Sequence, residues 1–275
     1  MNPKSILVIF LCLSSLFLSA SIGGESFYIT RPADSGAMYL TKEDYPVHAD
    51  GIGDDSDAIQ QAIDQASGSA ASVLFVPEGK YRLGKRINVW AGVRIIGYGE
   101  KRPVFLLGEN TPGFQEGQEN YMVFFSGGRA GGRGGRGGPG GGNVSDGSAG
   151  TFYCAMSNID FEIKSGNPAA IAVRFHVAQH SYLSHMDFSL GSAKAGLDDI
   201  GNEVEDLHFY GGQYGIITGR SAPGWPILAI DCTFEGQSVA GISCDEAGLW
   251  LTGMPGLSML TPLRWISSIN PMTRC

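Results

Sequence analysis

The apolar residues near position 60 lie on one face of a predicted helix. They recur at i, i+3, i+4 and i+7, and they are Ile59, Ala62, Ile63 and Ala66. Asp55 or Ser56 can cap the N-terminus of this helix, because a short polar side chain accepts hydrogen bonds from its free backbone N–H groups. The opposite face is polar, so we expect the helix at 56–66 to cover an apolar surface elsewhere in the fold.

After this helix the apolar positions come in short runs that are typical of β-strands. The first runs are VLFVPEGKYRL at 73–83, RINVW at 86–90 and GVRIIGYG at 92–99, and they are broken by glycine and proline. Later runs follow the same pattern, and each places a phenylalanine after a short polar stretch. These residues are Phe161, Phe188, Phe209 and Phe234, at spacings of 27, 21 and 25 residues.

A repeat of slightly more than twenty residues, with two or three short strands in each repeat, predicts a solenoid. In a parallel β-helix, equivalent positions of successive turns stack, so the recurring phenylalanines would form an interior ladder. The helix at 56–66 would cap the open end, where strand edges are otherwise exposed. The alternative is a β-sandwich, but the sequence lacks its two-residue hairpin turns. We therefore predict an all-β parallel β-helix over 45–248, with an N-terminal capping helix.

The composition agrees with many short strands and turns. Glycine accounts for 41 of 275 residues, and a helical bundle would not tolerate that fraction. Hydrophobic residues make up 43%, which is enough to bury one sizeable core. The net charge of −8 makes the chain a poor candidate for nucleic-acid binding.

Residues 1–22 have the layout of a secretory signal peptide. Lys4 precedes an apolar run at 6–18, and small residues follow at 19–24. The apolar run is too short for a membrane-spanning helix, which needs about 20 residues, and no later segment is long and apolar enough. We expect a secreted or periplasmic protein, without stable membrane insertion after removal of the signal.

Two segments depart from the repeat. The Gly/Arg-rich insertion at 127–150 includes GGRAGGRGGRGGPGGG, which is typical of a flexible loop between turns. Its three arginines also suit nucleic acid or an acidic polymer, but in an acidic chain we favour the plain loop. The tail at 249–275 has no recognisable turn of the repeat and no Asp or Glu. It is interpreted as an atypical cap or as the product of a truncated or shifted reading frame.

Four cysteines follow the predicted signal: Cys154, Cys232, Cys244 and Cys275. In an exported protein they permit two disulfides in three pairings. A chain of this length does not need such crosslinks, so we expect Cys154, Cys232 and Cys244 to be small buried apolar residues. No CxxC motif or Cys/His cluster indicates zinc, and we expect no metal site.

The segment at 50–99 resembles the start of the pectate-lyase-like superfamily. The shared features are DGIGDDSDAIQQAI, then VLFVPEGKYRL, and then the strands that close in GVRIIGYG. The chain looks most similar to the rhamnogalacturonase/epimerase-like group, which is related to the family 28 and family 55 glycoside hydrolases. Over residues 45–245 the resemblance implies a right-handed parallel β-helix that acts on carbohydrate. It transfers no catalytic motif, because this opening motif is structural in that family.

Members of that family are commonly longer than this chain, and their catalytic acids usually lie beyond the middle of the β-helix. The resemblance therefore implies an N-terminal part of a longer β-helix. The active site is then expected either in the later turns of this chain or outside it.

Glycoside hydrolysis requires two carboxyl groups, one protonated and one that activates water or attacks directly. Turns of a β-helix are about 4.8 Å apart, so acids on one face and one or two turns apart have suitable separations. Asp198 and Asp199 are the strongest pair, because adjacent acids repel and one is expected to have a raised pKa. The catalytic candidates are Asp198, Asp199, Glu235 and Asp245, with Glu203, Glu205, Asp231 and Glu246 as further acids. Each could instead be a solvated turn residue.

Sugar rings also bind to flat aromatic surfaces. The substrate-binding candidates are Trp225, Tyr210 and Tyr214. Trp225 lies in a loop next to a predicted strand, and packing against the wall of the solenoid is its alternative role.

We therefore predict an exported, polysaccharide-degrading glycoside hydrolase that uses paired carboxylates, with a polysaccharide or oligosaccharide partner and no cofactor. A polysaccharide lyase is the alternative, with Arg174, Lys194 or Arg220 as the base and calcium held by carboxylates. No acid cluster with calcium spacing accompanies these bases, so the hydrolase ranks first. A non-catalytic carbohydrate-binding β-helix or an inactive fragment is the third interpretation.

Overall fold

The computed structural model describes residues 25–117, 119–128, 144–200, 202–219, 227–244 and 249–253. These residues form one helix, α1 (Ser56–Ala66), and twenty strands. In chain order the strands are β1 (Met38–Tyr39), β2 (Asp50–Asp54), β3 (Val73–Pro77), β4 (Lys80–Arg82), β5 (Ile87–Trp90), β6 (Arg94–Tyr98), β7 (Val104–Leu107), β8 (Asn120–Gly128), β9 (Ser145–Asp146), β10 (Ala155–Ser157), β11 (Asp160–Ile163), β12 (Ala170–Arg174), β13 (Tyr182–Ser189), β14 (Ala195–Asp198), β15 (Glu203–Tyr210), β16 (Tyr214–Thr218), β17 (Ile227–Ile230), β18 (Thr233–Glu235), β19 (Ala240–Cys244) and β20 (Leu249–Thr252).

The strands wind into three parallel sheets, and the predicted parallel β-helix is confirmed. The first sheet has the order β1-β3-β6-β10-β13-β15-β17-β20. The second sheet has the order β2-β4-β7-β11-β13-β15-β18, so the long strands β13 and β15 belong to both. The third sheet has the order β5-β8-β12-β14-β16-β19. Each turn from β3 to β19 adds one strand to the third sheet, and it adds either one strand to each of the first two sheets or one long strand that both share.

A single residue with positive φ makes the corner between the first and second sheets. Asn158, His185, Asp206 and Asp231 occupy this position in four successive turns, with φ of 59°, 55°, 52° and 51°. Asn, Asp and His are enriched in this conformation among L residues. Because the corner needs no loop, the residues on both sides of it remain in register from turn to turn.

The interior holds the ladder of aromatic rings that the repeat predicted. Paired positions of the second sheet carry Tyr81, Phe105, Phe161, Phe188, Phe209 and Phe234. Phe188 stacks on Phe161 at 5.2 Å and on Phe209 at 4.8 Å between ring centroids, and Phe209 stacks on Phe234 at 5.0 Å. Offset stacks at these distances add about 0.5–1.5 kcal/mol per pair to the burial of the rings.

Glycines of the third sheet make room for this ladder. A Cβ atom at Gly196 would lie 2.6 Å from Cε1 of Phe209, and one at Gly215 would lie 2.5 Å from Cδ1 of Phe234. Both distances are far shorter than the carbon–carbon optimum of about 3.5–4.0 Å. Part of the high glycine content therefore follows from the packing of rings across a narrow interior.

Helix α1 covers the end of the solenoid, as predicted. Its apolar side chains are fully or almost fully buried in the core, and the helix contacts β1, β3 and β5. The expected side-chain cap is wrong, because Asp55 precedes the helix without a capping hydrogen bond. Its carboxylate instead accepts from the backbone N–H groups of His48 at 2.6 Å and Ala49 at 3.1 Å. The hydroxyl of Ser56 likewise donates to Asp54 at 2.5 Å.

Strand β20 extends the first sheet into the predicted tail. It pairs in parallel with β17, and Leu249 and Leu251 pack against the core while Trp250 is exposed. The expectation of no further turn is therefore wrong for Leu249–Thr252, where alternate leucines continue the inward pattern. Residues 254–275 of the tail, the predicted signal peptide and residues 129–143 of the insertion lie outside the described residues.

Cys154 and Cys232 are buried free thiols, as expected. Burial raises the pKa of each to about 11. The same expectation is wrong for Cys244, which is half-buried, and Cys275 lies outside the described residues. In the part of the chain that the structure describes, no helix combines the length and the apolar character needed to cross a membrane.

Candidate functional site

Charged side chains meet on the outer face of the third sheet, at the carboxyl ends of its strands. Arg174 and Asp198 are paired in register at the ends of β12 and β14. His176 and Asp199 follow those two strands, and Asp146 comes from β9, which pairs antiparallel to β8. Because the strands are parallel, residues at their carboxyl ends share one edge of the sheet although they are distant in sequence.

The guanidinium of Arg174 holds three carboxylates together. Its Nη1 donates to Asp198 Oδ2 at 2.6 Å, and its Nη2 donates to Asp146 Oδ2 at 2.6 Å and to Asp199 Oδ2 at 3.2 Å. Burial alone would lower the pKa of Arg174, but Asp146 and Asp198 outweigh that effect and hold the pKa above its ordinary value. Arg174 is therefore a fixed cation.

Tyr121 is the second donor to Asp198. Its hydroxyl donates to Asp198 Oδ2 at 2.7 Å, and Cζ of Arg174 lies 5.9 Å from the centre of its ring. Burial and then the bond to Asp198 raise the pKa of Tyr121 above its ordinary value, so the hydroxyl stays protonated. One oxygen of Asp198 is thus held between a neutral donor and a charged one.

Asp199 has a raised pKa within this cluster. Burial raises it, and the positive charges of His176 and Arg174 offset the effect only in part. Its Oδ1 is buried without a hydrogen-bond partner among the described residues. Its backbone has φ of 57°, a conformation that L residues seldom adopt. The protonated form of Asp199 therefore persists to higher pH than in an ordinary aspartate.

Asp146 and His176 form a charged pair beside Asp199. His176 Nδ1 lies 3.3 Å from Asp146 Oδ2 and 3.6 Å from Asp199 Oδ2. The bond to Asp146 raises the pKa of His176, although burial opposes it. Burial would raise the pKa of Asp146, but His176 and Arg174 hold it at about 2. The environment thus moves the pKa values of two neighbouring carboxyls, Asp146 and Asp199, in opposite directions, which is typical of acid–base sites.

A cleft of about 660 Å³ adjoins the cluster. Tyr121 lines it, together with Glu119 and Lys194, which form an ion pair, and with the loop at 115–117. Its volume lies within the range of about 300–1,000 Å³ that is common for small-molecule sites. Tyr121 therefore connects the charged cluster to a space that can receive a ligand.

Asp198 and Asp199 lie together in this cluster, but Glu235, Tyr210 and Tyr214 do not join them. Glu235 and Tyr210 are paired on the outer face of the second sheet, which points in a different direction. Tyr214 lies in the third sheet, paired with Ala195 of β14, and is half-buried. Asp245 and Trp225 lie outside the described residues.

Sequence reasoning missed Asp146, His176 and Tyr121, and it considered Arg174 only as the base of a lyase. Asp146 lies at the end of the Gly/Arg-rich insertion, where no repeat predicts its position. A usable signal was the polar residue that directly follows the apolar run in successive turns, as in AVRFH and GLDD. The described residues include no set of three His, Cys, Asp or Glu side chains placed to hold a metal ion.

The fold is that of a parallel β-helix with a charged cluster at one edge of its third sheet. Residues 42–252 match the family described as rhamnogalacturonase A/epimerase, pectate lyase-like. The match covers more than half of the chain, and the protein belongs to this family. No curated protein matches it by sequence.

Several solved structures are similar at low sequence identity. ORF18 of Geobacillus virus E2 has a TM-score of 0.50 and 16% identity, over 80% of this chain and 42% of the viral one. The surface adhesin PfbA of Streptococcus pneumoniae has a TM-score of 0.42 and 15% identity, over 79% and 61%. The A-module of the mannuronan C-5 epimerase AlgE4 of Azotobacter vinelandii has a TM-score of 0.39 and 14% identity, over 78% and 68%. This chain spans less than two thirds of the first two proteins, and the likeness concerns the fold alone.

Proposed function

We propose that the protein is a polysaccharide-degrading glycoside hydrolase, with Asp199 as the general acid and Asp198 as the second carboxylate. The observation that carries this proposal is the environment of Asp199, a half-buried carboxyl with a raised pKa and an oxygen without a partner among the described residues. General acids of glycosidases require a raised pKa, so that they hold a proton at working pH. Membership of the pectate-lyase-like family supports carbohydrate as the substrate.

In the proposed reaction, Asp199 gives its proton to the oxygen of the scissile glycosidic bond as that bond breaks. Asp199 becomes a carboxylate, and Arg174 at 3.2 Å and His176 at 3.6 Å stabilise its new negative charge. Asp198, held by Tyr121 and Arg174, activates water or attacks the sugar directly. Asp146 stays ionised and keeps Arg174 and His176 in place.

A lyase mechanism has weaker support from this geometry. A lyase needs a neutral base, but three carboxylates hold Arg174 as a cation and raise its pKa. Lys194 is paired with Glu119, and Arg220 lies outside the described residues. A carbohydrate-binding protein without activity remains the second candidate, since the cleft and its polar lining would also suit it.

The test is a comparison of single variants on a panel of polysaccharides. We expect Asp199→Asn and Asp198→Asn each to lower kcat by about 100-fold or more while both fold normally. Asp57→Asn on α1 is the matched control, because its carboxylate is exposed and far in the chain from the cluster. New reducing ends without an unsaturated, UV-absorbing product indicate a hydrolase. An unsaturated product, or unchanged turnover in both variants, would contradict the proposal.

We also propose that the protein is exported, because residues 1–22 have the pattern of a signal peptide. N-terminal sequencing of protein from the culture medium or periplasm is the test. We expect the mature chain to begin between Ala20 and Gly24. An intact Met1 on protein that stays in the cytoplasm would contradict export.

A further inference from the structure

The groove at the candidate site consists of the cleft beside Tyr121 and the adjoining charged cluster, and it carries more carboxylates than cations. Among the described residues Glu116 and Glu119 line the cleft, and Asp146, Asp198 and Asp199 belong to the cluster. Lys194 is the cation of the cleft, and Arg174 and His176 are the cations of the cluster. With His176 protonated and Asp199 neutral, the carboxylates still outnumber the cations, and a groove of one sign repels ligands of that sign.

The groove cations in the described part of the chain are also already paired. Arg174 donates to Asp146, Asp198 and Asp199. Lys194 is bound to Glu119. A carboxylated sugar that enters the cleft would therefore have to displace one of the protein's own carboxylates before it could bind a cation. Such an exchange gains little, because one charge pair replaces another.

The remaining polar groups of the groove suit hydroxyls. Carboxylate oxygens such as those of Glu116 accept hydrogen bonds from hydroxyls. Gln115 offers an amide that can both donate and accept. Neutral sugars present many hydroxyl donors and no charge.

We propose that the groove selects neutral polysaccharides and discriminates against uronic acid polymers. This inference rests on the proposed function for the location of the binding site, but it concerns the charge of the ligand and not its cleavage. Since the selection is electrostatic, we expect salt to weaken it, because the screening length is about 8 Å at physiological ionic strength.

The experiment compares uronic acid polymers with neutral polymers that have the same backbone linkage. Polygalacturonan and its carboxyl-reduced form share linkage and length, and glucuronoxylan with xylan and mannuronan with mannan provide two further pairs. Binding is measured by calorimetry and hydrolysis by reducing ends, with and without a calcium chelator. In at least one pair we expect the neutral polymer to bind at least about tenfold more tightly than the uronan at low salt. The ratio of the two affinities should fall at high salt.

A variant of the protein gives a second test. Glu119→Gln removes the partner of Lys194 and frees a cation, so we expect the ratio of uronan affinity to neutral-polymer affinity to rise severalfold. Glu43→Gln makes the same change of net charge at an exposed position outside the groove, and should alter neither affinity.

The outcomes separate the two proposals. Tight binding of a neutral polymer without cleavage would overturn the hydrolase and support the charge selection. Equal or tighter binding of the uronan in all three pairs, or no binding of any neutral polymer, would overturn the charge selection whether or not hydrolysis occurs. Tighter uronan binding that disappears with the chelator would also overturn it, since calcium would then neutralise the groove.

Discussion

Removal of one ring from the middle of the aromatic ladder should strongly destabilise the protein. Phe188 is fully buried and stacks between Phe161 at 5.2 Å and Phe209 at 4.8 Å. Truncation of a buried phenylalanine to alanine costs about 3–5 kcal/mol, and the loss of two stacked pairs adds to that cost. We expect Phe188→Ala to lower the free energy of unfolding by about 4 kcal/mol or more.

Urea unfolding followed by circular dichroism measures this loss. The matched control is Phe234→Ala, because Phe234 is only partly buried and stacks on Phe209 alone among the described residues. We expect the control to lose about half as much stability as Phe188→Ala. A loss below about 1 kcal/mol for Phe188→Ala, or equal losses in both variants, would refute the ladder as a main source of stability.

Three further predictions concern the packing of the interior and the buried side chains of Cys154 and Asp160. In Gly215→Ala the new Cβ would lie 2.5 Å from Cδ1 of Phe234. We therefore expect urea unfolding to show a loss of about 1–3 kcal/mol in the free energy of unfolding. The control Gly150→Ala should be nearly neutral, because a Cβ at that position would have nothing within 4 Å. Because burial raises the pKa of Cys154 to about 11, a thiol reagent at pH 8 should label it only as fast as the protein opens, and rapid labelling of the native protein would contradict this. Burial raises the pKa of Asp160 to about 6, so the folded state binds its proton more tightly than the unfolded chain does. The contribution of Asp160 to stability should therefore fall as the pH rises from 3.8 to about 6, so the difference in stability between wild type and Asp160→Asn should change over this range. A midpoint below 4 for the Asp160 carboxyl by NMR would show the reasoning to be wrong.

The repeat and its elements could be predicted because local patterns decide them. One-faced spacing indicated α1, and the polar stretch before each phenylalanine indicated the strands whose rings form the ladder. These features depend on side chains close in sequence, and the periodicity of a helix or strand makes them visible.

The site could be predicted only in part, because the chain reaches each sheet through turns of different length. Between Tyr210 and Tyr214 only three residues intervene, yet this turn moves the chain from the second sheet to the third. Sequence spacing therefore did not show that Tyr210 and Glu235 would share one face while Asp198 lies on another. Asp55 does not cap the helix because the backbone N–H groups of His48 and Ala49 in the preceding loop bind its carboxylate instead.

The central claim is that Asp199 protonates the leaving group of a glycoside. It is tested most directly by turnover of two substrates with the same sugar by wild type and Asp199→Asn. One substrate is the natural glycan, and the other is an aryl glycoside whose acidic leaving group departs without protonation. We expect the variant to lose about 100-fold or more on the glycan but to stay within about tenfold of wild type on the aryl glycoside. Equal losses on both substrates, or no loss on the glycan, would contradict the role of Asp199 as the acid.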